Sequence, residues 1–584
     1  MLIDYLRYSI SHMKKIIYPF LIIVLAVLWI FPSCNNPDTS NLILKDSVSI
    51  AAGGKLFHQN CSGCHNFKQF GIGPNLTNIT ETDSLGWLRK FIRDPKSVLA
   101  SGDAHAKSIL ADYHTLMPSF TTLKEEELDQ LIAFLNTKKG KTTKADPNAI
   151  KNPVPGQIPA SNIEIPLQLF AQVAASSDKE PHTRISKMDW LPSSKAWFIL
   201  DQRGKIYKLS GEIIQPWLDI SKWKPAFINQ PGLATGLGSF AFHPNYAANH
   251  LLYTTHCEAA HTKKADFAIP DSIPQTLQWV LCEWKVSDPD APILNGTCRE
   301  LLRIDMVSGI HGVQEIIFNP RVKPGNDDYG MLYIGVGDGG SVENGHAFLT
   351  HHPDHIWGSI LRIDPLGKNS ANGQYGIPSR NPFVKTAGAG IVREIYADGF
   401  RNPNRITWTD QGEMLSTNIG QANIEAIDIV LKGHDYGWPI REGRFLMHPM
   451  GEINNLFPLP ADDSLYHITY PSAVFDHDEG LAIAGGFEYE GRDIPQLKGK
   501  YLFGDIPSGR LFFVNTKDLG LNTTAPISEW FVSLNGKRQT LREICGQERV
   551  DLRFAKDANG EMFIFTKPDG KIYRLINGRN TQIH

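Results

Sequence analysis

Beyond residue 162 the chain alternates short β-rich runs with Gly, Asp and Asn turns for roughly 420 residues, and helical periodicity nearly disappears. Runs such as AWFILDQRGKIYKL, GMLYIGVGDGG, KGKYLFGDIPSGRLFFV and EMFIFTKPDGKIYRL set strand against turn at short intervals. So many short strands restrict the chain to a propeller or a sandwich, and the length favours blades arranged around an axis. Six blades of about 70 residues fit, and counting strands leaves seven open. Gly204-Lys205-Ile206-Tyr207-Lys208-Leu209 returns near the end as Gly570-Lys571-Ile572-Tyr573-Arg574-Leu575. Similar strands at the two ends suit a ring whose first and last segments share a blade.

A separate constraint precedes this region. Cys61-Ser62-Gly63-Cys64-His65 is a CxxCH, the spacing for covalent attachment of a c-type haem. The pattern also arises by chance or binds zinc with a partner pair, so the flanks decide. Ser49 to Asn60 reads as a helix with small and aromatic positions Gly53, Gly54 and Phe57, which permit close crossing by a second helix. Lys124 to Lys138 carries Leu128, Leu131, Ile132 and Leu135 at helical spacing behind an acidic start that suits the helix dipole. Together the two segments resemble the crossed terminal helices of a class I c-type cytochrome. That resemblance makes His65 the proximal iron ligand and Gly73-Pro74-Asn75-Leu76 the loop whose proline carbonyl receives its other ring N–H. It makes Met117, in LMPSF, the sixth ligand, with His105 and His114 as alternatives.

The pieces divide into a signal segment over 1–34, a cytochrome c domain over 48–140, a linker over 141–162 rich in Pro, Lys, Ala and Asn, and a propeller over 163–580. The fold class is therefore a small all-α domain followed by an all-β six-bladed propeller. Met13-Lys14-Lys15, an apolar run of sixteen residues ending at Phe31, and Pro32-Ser33-Cys34 resemble a bacterial lipoprotein signal. Cys34 would then carry lipid; an uncleaved anchor helix is the other reading, and Met13 is a possible start. Either way an exported protein is expected, tethered to a membrane and facing the periplasm or the cell surface. The remaining cysteines, Cys257, Cys282, Cys298 and Cys545, could form two disulfides in any of three connectivities. Lys plus Arg (58) nearly balance Asp plus Glu (61), so no basic surplus speaks for nucleic acid.

Four motifs occur in order in the long region: GLGSFAFHPNY (236–246), YIGVGDGGS (333–341), GFRNPNRITW (399–408) and GQANIEAIDIVLKGHDYGWP (420–439). Together they resemble the soluble glucose/sorbosone dehydrogenase family of six-bladed propellers that hold pyrroloquinoline quinone (PQQ) and calcium. The resemblance implies hydride abstraction from an aldose to the quinone, with a histidine base that falls at His311. It places Arg401 and Asn402 against the quinone, Arg405 as a neighbour equally able to form a structural ion pair, and Gly420, Gln421 and Glu425 around Ca²⁺. This chain departs from the pattern: Ala234 replaces a glutamine, the lysine that binds a cofactor carboxylate falls near Pro507-Ser508, and RVDLRF replaces tandem arginines. Arg549, Arg553 and Arg510 are the candidates to compensate.

Two functions follow. In the first, a sugar or related alcohol reduces PQQ in the propeller, and electrons pass through the fused haem c to a respiratory acceptor. In the second, an electron-transfer cytochrome is joined to a non-catalytic propeller that recognises a glycan or a protein. Convergence of His311, Arg401, Asn402 and Glu425 on one pocket is what separates them.

Overall fold

The computed structural model describes residues 42–67, 73–113, 116–140, 146–386, 388 and 390–578. Cys34, the apolar N-terminal run and His114 lie outside them. No helix among the described residues is long and apolar enough to cross a membrane.

Six helices build the first unit: α1 (Ser47–Asn60), α2 (Ile79–Thr82), α3 (Leu85–Arg93), α4 (Pro95–Ala100), α5 (Ala104–Tyr113) and α6 (Glu125–Asn136). The Asp46 carboxylate caps α1 by accepting the Ser49 N–H at 2.8 Å, and Glu127 folds back to accept the Lys124 N–H at 2.8 Å at the start of α6. Both bonds satisfy amides that a helix start leaves without partners. α1 and α6 cross with backbone nearly touching. A β-carbon at Gly53 would lie 1.8 Å from the Gln130 carbonyl oxygen. Phe57, Leu128, Leu131, Ile132 and Leu135 form the core beneath the crossing.

The second unit is a ring of sheets. Its blades are β2 (Ile185–Leu191), β3 (Ala196–Asp201), β4 (Lys205–Ser210) and β5 (Ile213–Asp219); β6 (Leu237–Phe242), β7 (Leu251–Ala259), β8 (Leu277–Val286) and β9 (Gly296–Met306); and β10 (Glu315–Phe318), β11 (Leu332–Val336), β12 (Ser359–Ile363) and β13 (Ile395–Ala397). The fourth comprises β14 (Pro403–Trp408), β15 (Met414–Asn418), β16 (Ile424–Ile429) and β20 (Ala473–Asp476), with a small inserted sheet of β17 (Arg441–Glu442), β18 (Phe445–Met447) and β19 (Leu456–Phe457). The fifth runs β21 (Ile483–Glu488), β22 (Lys500–Asp505), β23 (Leu511–Asn515) and β24 (Ser528–Leu534), with β25 (Lys537–Gln539) folded onto β24. The last has β26 (Arg553–Lys556), β27 (Met562–Phe565) and β28 (Lys571–Leu575), completed by β1 (Ala160–Gln172).

The inner strands settle the blade number at six: β2, β6, β10, β14, β21 and β26 touch in a closed circle. Closure comes from β1, which pairs antiparallel with β28 and parallel with β24. The repeated GKIY segments thus occupy equivalent third strands, β4 and β28, of neighbouring blades rather than one shared blade. The ends of the chain do share a blade, through β1.

The linker departs from the flexible reading over its second half. Ile150 N–H bonds the Leu456 carbonyl at 2.8 Å, Val154 N–H the Asp476 carboxylate at 3.1 Å, and Ile158 N–H that of Glu479 at 3.1 Å. The propeller therefore begins to hold the chain well before β1. The cysteine expectation is also corrected: Cys257, Cys282, Cys298 and Cys545 are free thiols. Cys257 and Cys282 point into different cores, and Cys545 sits on a short helix Leu541–Cys545.

Gly53→Ala should drive a methyl group into the Gln130 carbonyl and destabilise the cytochrome unit by about 1–3 kcal/mol, the usual cost of overpacking. Chemical denaturation followed at the haem absorbance measures it, with far-UV ellipticity reporting the propeller separately.

Candidate active site

The CxxCH residues leave α1 in a tight turn, with Cys64 and His65 N–H groups both bonded to the Cys61 carbonyl. The His65 ring is half-buried, and its Nδ1 lies 2.9 Å from the Pro74 carbonyl, to which it donates. Burial, partly opposed by that bond, lowers the imidazole pKa and keeps Nε2 free of a proton for a metal. Gly73 is required beside it, because a β-carbon there would stand 2.5 Å from the ring. Met117 lines the same crevice as Cys61, Cys64 and His65. His105 is drawn away to Asp83 at 2.9 Å and packs on Trp87. These residues fit a covalently held haem with His65 and Met117 as axial donors.

At the propeller, the first turns ahead of the inner strands and the loops after the second strands share one end of the ring, since neighbouring strands are antiparallel. His311 precedes β10, Asp338 follows β11, and Arg401 and Asn402 precede β14. The His311 Nδ1 donates to Asp338 at 2.8 Å, leaving Nε2 as the acceptor. Burial first, and then the neighbouring Arg401 charge, hold the His311 pKa below the ordinary value despite Asp338. The result is a neutral imidazole of fixed tautomer, which is what a general base requires. The glycines of GVGDGG make the arrangement possible: a β-carbon at Gly337 would meet the His311 carbonyl at 2.3 Å, while Gly339 N–H bonds that carbonyl at 3.1 Å. His311 itself sits at φ 48°, in the left-handed region that costs a non-glycine residue energy.

Arg401 is only 2% exposed, and its guanidinium is pinned on three sides. It donates to Gln421 Oε1 at 2.9 Å, to Glu343 Oε1 at 3.1 Å and to the Gly420 carbonyl. Asn402 lines the same cavity and is fixed by its own N–H on Asn418 at 3.0 Å. The donors assigned to calcium are arranged differently from that expectation. Glu425 accepts the Gly420 N–H at 3.1 Å, the Ile483 N–H at 2.7 Å and a His477 ring nitrogen at 3.2 Å. Glu442 gathers the N–H groups of Gln421, Ala422, Asn423 and Ile424. Amides here converge on carboxylates, the Gly420 carbonyl holds Arg401, and among the described residues no three acidic, histidine or cysteine side chains stand together as a metal cage. As arranged, Gly420, Gln421 and Glu425 do not fit Ca²⁺.

Ala234, Arg549 and Arg553 all line the cavity, whereas Arg510 is committed to Glu479 at 2.6 Å and Glu529 at 2.9 Å and does not reach it. Arg405 takes the structural role, with Glu315 at 3.4 Å and the Gln314 carbonyl at 3.0 Å. Sequence reading missed Asp338, Glu343 and Lys567. Asp338 stood inside a quoted motif between glycines, while nothing local marks a buried Glu343 or Lys567 as facing a site.

The haem crevice and the propeller mouth are one space. A continuous cavity of about 740 Å³ is lined at one end by Cys61, Cys64, His65 and Met117 and at the other by His311, Arg401, Asn402 and Gln421. The CxxCH turn sits directly on the propeller, where a β-carbon at Gly63 would approach Ile310 Cγ2 to 2.8 Å. Lys96 and Glu180 form an ion pair across the junction, joined by Gln547.

Fold and site together define a two-part protein, a c-type cytochrome seated over the mouth of a sugar-dehydrogenase propeller. The chain belongs to the glucose/sorbosone dehydrogenase family: the family description Glucose / Sorbosone dehydrogenase matches residues 183–574, and Cytochrome c matches residues 50–139. Among curated relatives it is 26% identical to the HIPL2 protein of Arabidopsis thaliana over 312 residues, 46% of this chain and 42% of that one. It is 24% identical to quinoprotein glucose dehydrogenase B of Acinetobacter calcoaceticus over 290 residues, 46% of this chain and 52% of that one. The chain spans about half the length of these curated relatives. Among solved structures, the soluble aldose sugar dehydrogenase of Escherichia coli aligns over 70% of this chain and 99% of its own, with 17% identity and a TM-score of 0.48.

Asp338→Asn should offer Nδ1 an amide donor and turn the imidazole to the wrong tautomer, lowering turnover by roughly 10²–10⁴-fold, the range general-base catalysis supplies. If His311 is the base, it works when neutral, so activity should fall as pH drops through its lowered pKa. The acidic limb of a kcat/KM profile is expected below pH 6.5.

Proposed function

We propose that this protein oxidises an aldose or related alcohol in the propeller cavity with PQQ as cofactor and passes the electrons to its own haem c. The observation that carries this reading is the shared cavity, which brings a neutral base, a pinned guanidinium and the haem-attachment residues into one space. PQQ, when bound, supplies the hydride acceptor that no side chain provides. The wall residues suit it: Arg401 and an excess of buried cations line the cavity at the propeller end.

His311 Nε2 takes the hydroxyl proton of the substrate, and Asp338 stabilises the imidazolium that forms through the Nδ1 bond. Arg401 cannot swing away, because Gln421, Glu343 and the Gly420 carbonyl hold it. Its charge is thus preorganised toward oxygen that becomes negative during oxidation. The CxxCH turn rests on Ile310 at the mouth, so the cytochrome is placed beside the base and the guanidinium. Fusion also makes the electron transfer intramolecular, at an effective concentration that a diffusing partner would not match. The N-terminal segment supports an exported, membrane-tethered location, facing the periplasm or cell surface, where a respiratory acceptor would reoxidise the haem.

The test is a spectral titration of the purified, haem-loaded chain with PQQ and then a panel of aldoses and related alcohols. Reduction of the haem α-band is expected only with quinone and sugar together. His311→Ala should slow it by roughly 10²–10⁴-fold without altering the dithionite-reduced spectrum. Absence of quinone binding at micromolar concentration, with no sugar reducing the haem, would sink this reading in favour of a recognition propeller carrying a cytochrome.

A further inference from the structure

The cavity wall formed by the last blade carries more positive charge than the protein neutralises. Arg549 and Arg553 lead into β26, Lys567 follows β27, and all three line the cavity. Across the seam to the first blade, Arg184 adds a fourth cation that acts on Lys567. Asp551 is the carboxylate that faces Arg549, Arg553 and Lys567, while Arg184 is also under the influence of Asp201. It accepts from Arg549 Nε at 2.9 Å and lies 3.9 Å from Lys567 Nζ. Arg553 uses one nitrogen on the Leu552 carbonyl and Arg184 one on the Asn229 carbonyl, each at 2.7 Å. The Lys567 side chain is 5% exposed, so water does little to offset its charge.

Burying unpaired charge is strongly unfavourable, and here the three cavity-lining cations Arg549, Arg553 and Lys567 meet one carboxylate. Asp551 is, moreover, held at φ 51°, a left-handed conformation of the kind found where surrounding structure imposes a functional geometry. Burial, joined by Arg553, Arg549 and Arg184 and opposed by Asp551, pushes Lys567 down to about 7; burial, joined by Arg405 and Arg549 and opposed by Asp551, pushes Arg553 down to about 9. Such a wall is complete only with an anion, and planar guanidinium forks beside an ammonium suit carboxylate. PQQ is a tricarboxylate, and the lysine that the family resemblance places near Pro507-Ser508 is missing.

We infer that Lys567 supplies that missing cation and, with Arg549 and Arg553, binds a carboxylate of the quinone cofactor. The identity of the anion rests on the proposed function; the charge imbalance does not. Lys567 must be protonated to hold a carboxylate, so affinity should be greatest below pH 7 and fall as pH rises above it, with proton uptake on binding. Arg549, Arg553 and Arg184 favour the neutral amine in the free protein, and Asp551 opposes them.

The experiment is quinone binding to the haem-loaded full chain by fluorescence quenching and by calorimetry in two buffers of different ionisation enthalpy. Lys567→Met should weaken binding on the order of 10- to 100-fold, as for loss of a charge-assisted hydrogen bond. Lys567→Arg should restore much of the affinity and abolish its decline between pH 7 and 9. Proton uptake by the unsubstituted protein at pH 8 checks the same point without any variant. Equal affinity and equal pH dependence in Lys567→Met would overturn the assignment while leaving the proposed function standing. Loss of affinity for a uronic acid, with quinone binding intact, would give the cations to an acidic sugar and equally overturn it. Failure of the unsubstituted chain to bind quinone would bring down both.

Discussion

The pairing of β1 with β28 is the interaction on which the rest depends. An antiparallel register of Leu167 with Leu575 and Leu169 with Tyr573 joins the first strand of the ring to the last. Only with that seam closed do the inner strands from β2 to β26 complete their circle, and the mouth residues come from turns on five different blades. No single blade contains a site. His311 and Asp338 belong to the third, Arg401 to the fourth, Arg549 and Lys567 to the last, so the catalytic geometry is a property of closure.

Within that ring, the chemistry is governed by where buried charge is balanced and where it is not. Arg401 is neutralised by Glu343 and engaged by neutral oxygens, which makes it a fixed electrostatic element. His311 is the opposite case: burial and Arg401 favour its uncharged form, while Asp338 partly opposes them and decides which nitrogen holds the proton. The two residues are thereby set to different tasks by one environment. The loop that follows Gly420 is likewise explained by charge, since Glu442 occupies the nest of amides from Gln421 to Ile424.

The cytochrome was legible because its signals are local. CxxCH fixes two cysteines and a histidine within five residues, and the apolar spacing of Leu128, Leu131, Ile132 and Leu135 writes one face of a helix directly into the chain. The propeller was legible as a class for a similar reason, through short strands and glycine turns. Its blade pairing was not: GKIY recurs because third strands face alike environments in each blade, and one sequence cannot tell equivalence from adjacency. His311 and Arg401 were reached through motif order. Glu343, Asp338 and Lys567 contact partners 58, 27 and 16 residues away, at separations that the ring sets and no local pattern encodes. The donors expected around calcium are arranged differently for the same reason. Glu425 has the right chemistry, but its direction is fixed by Ile483 and His477 from the next blade.

The position of the excess cations gives closure a further consequence. Arg553 and Lys567 lie on the last blade and Arg184 just ahead of the first, so their mutual repulsion acts across the seam between β26 and β2. Like charges in a poorly solvated wall weaken that contact between the last and first inner strands. An anion held between them reverses the sign of that term, and anything that binds the folded ring but not the open chain stabilises it by mass action. Binding of the cofactor carboxylate and closure of the propeller are therefore the same electrostatic event seen from two sides.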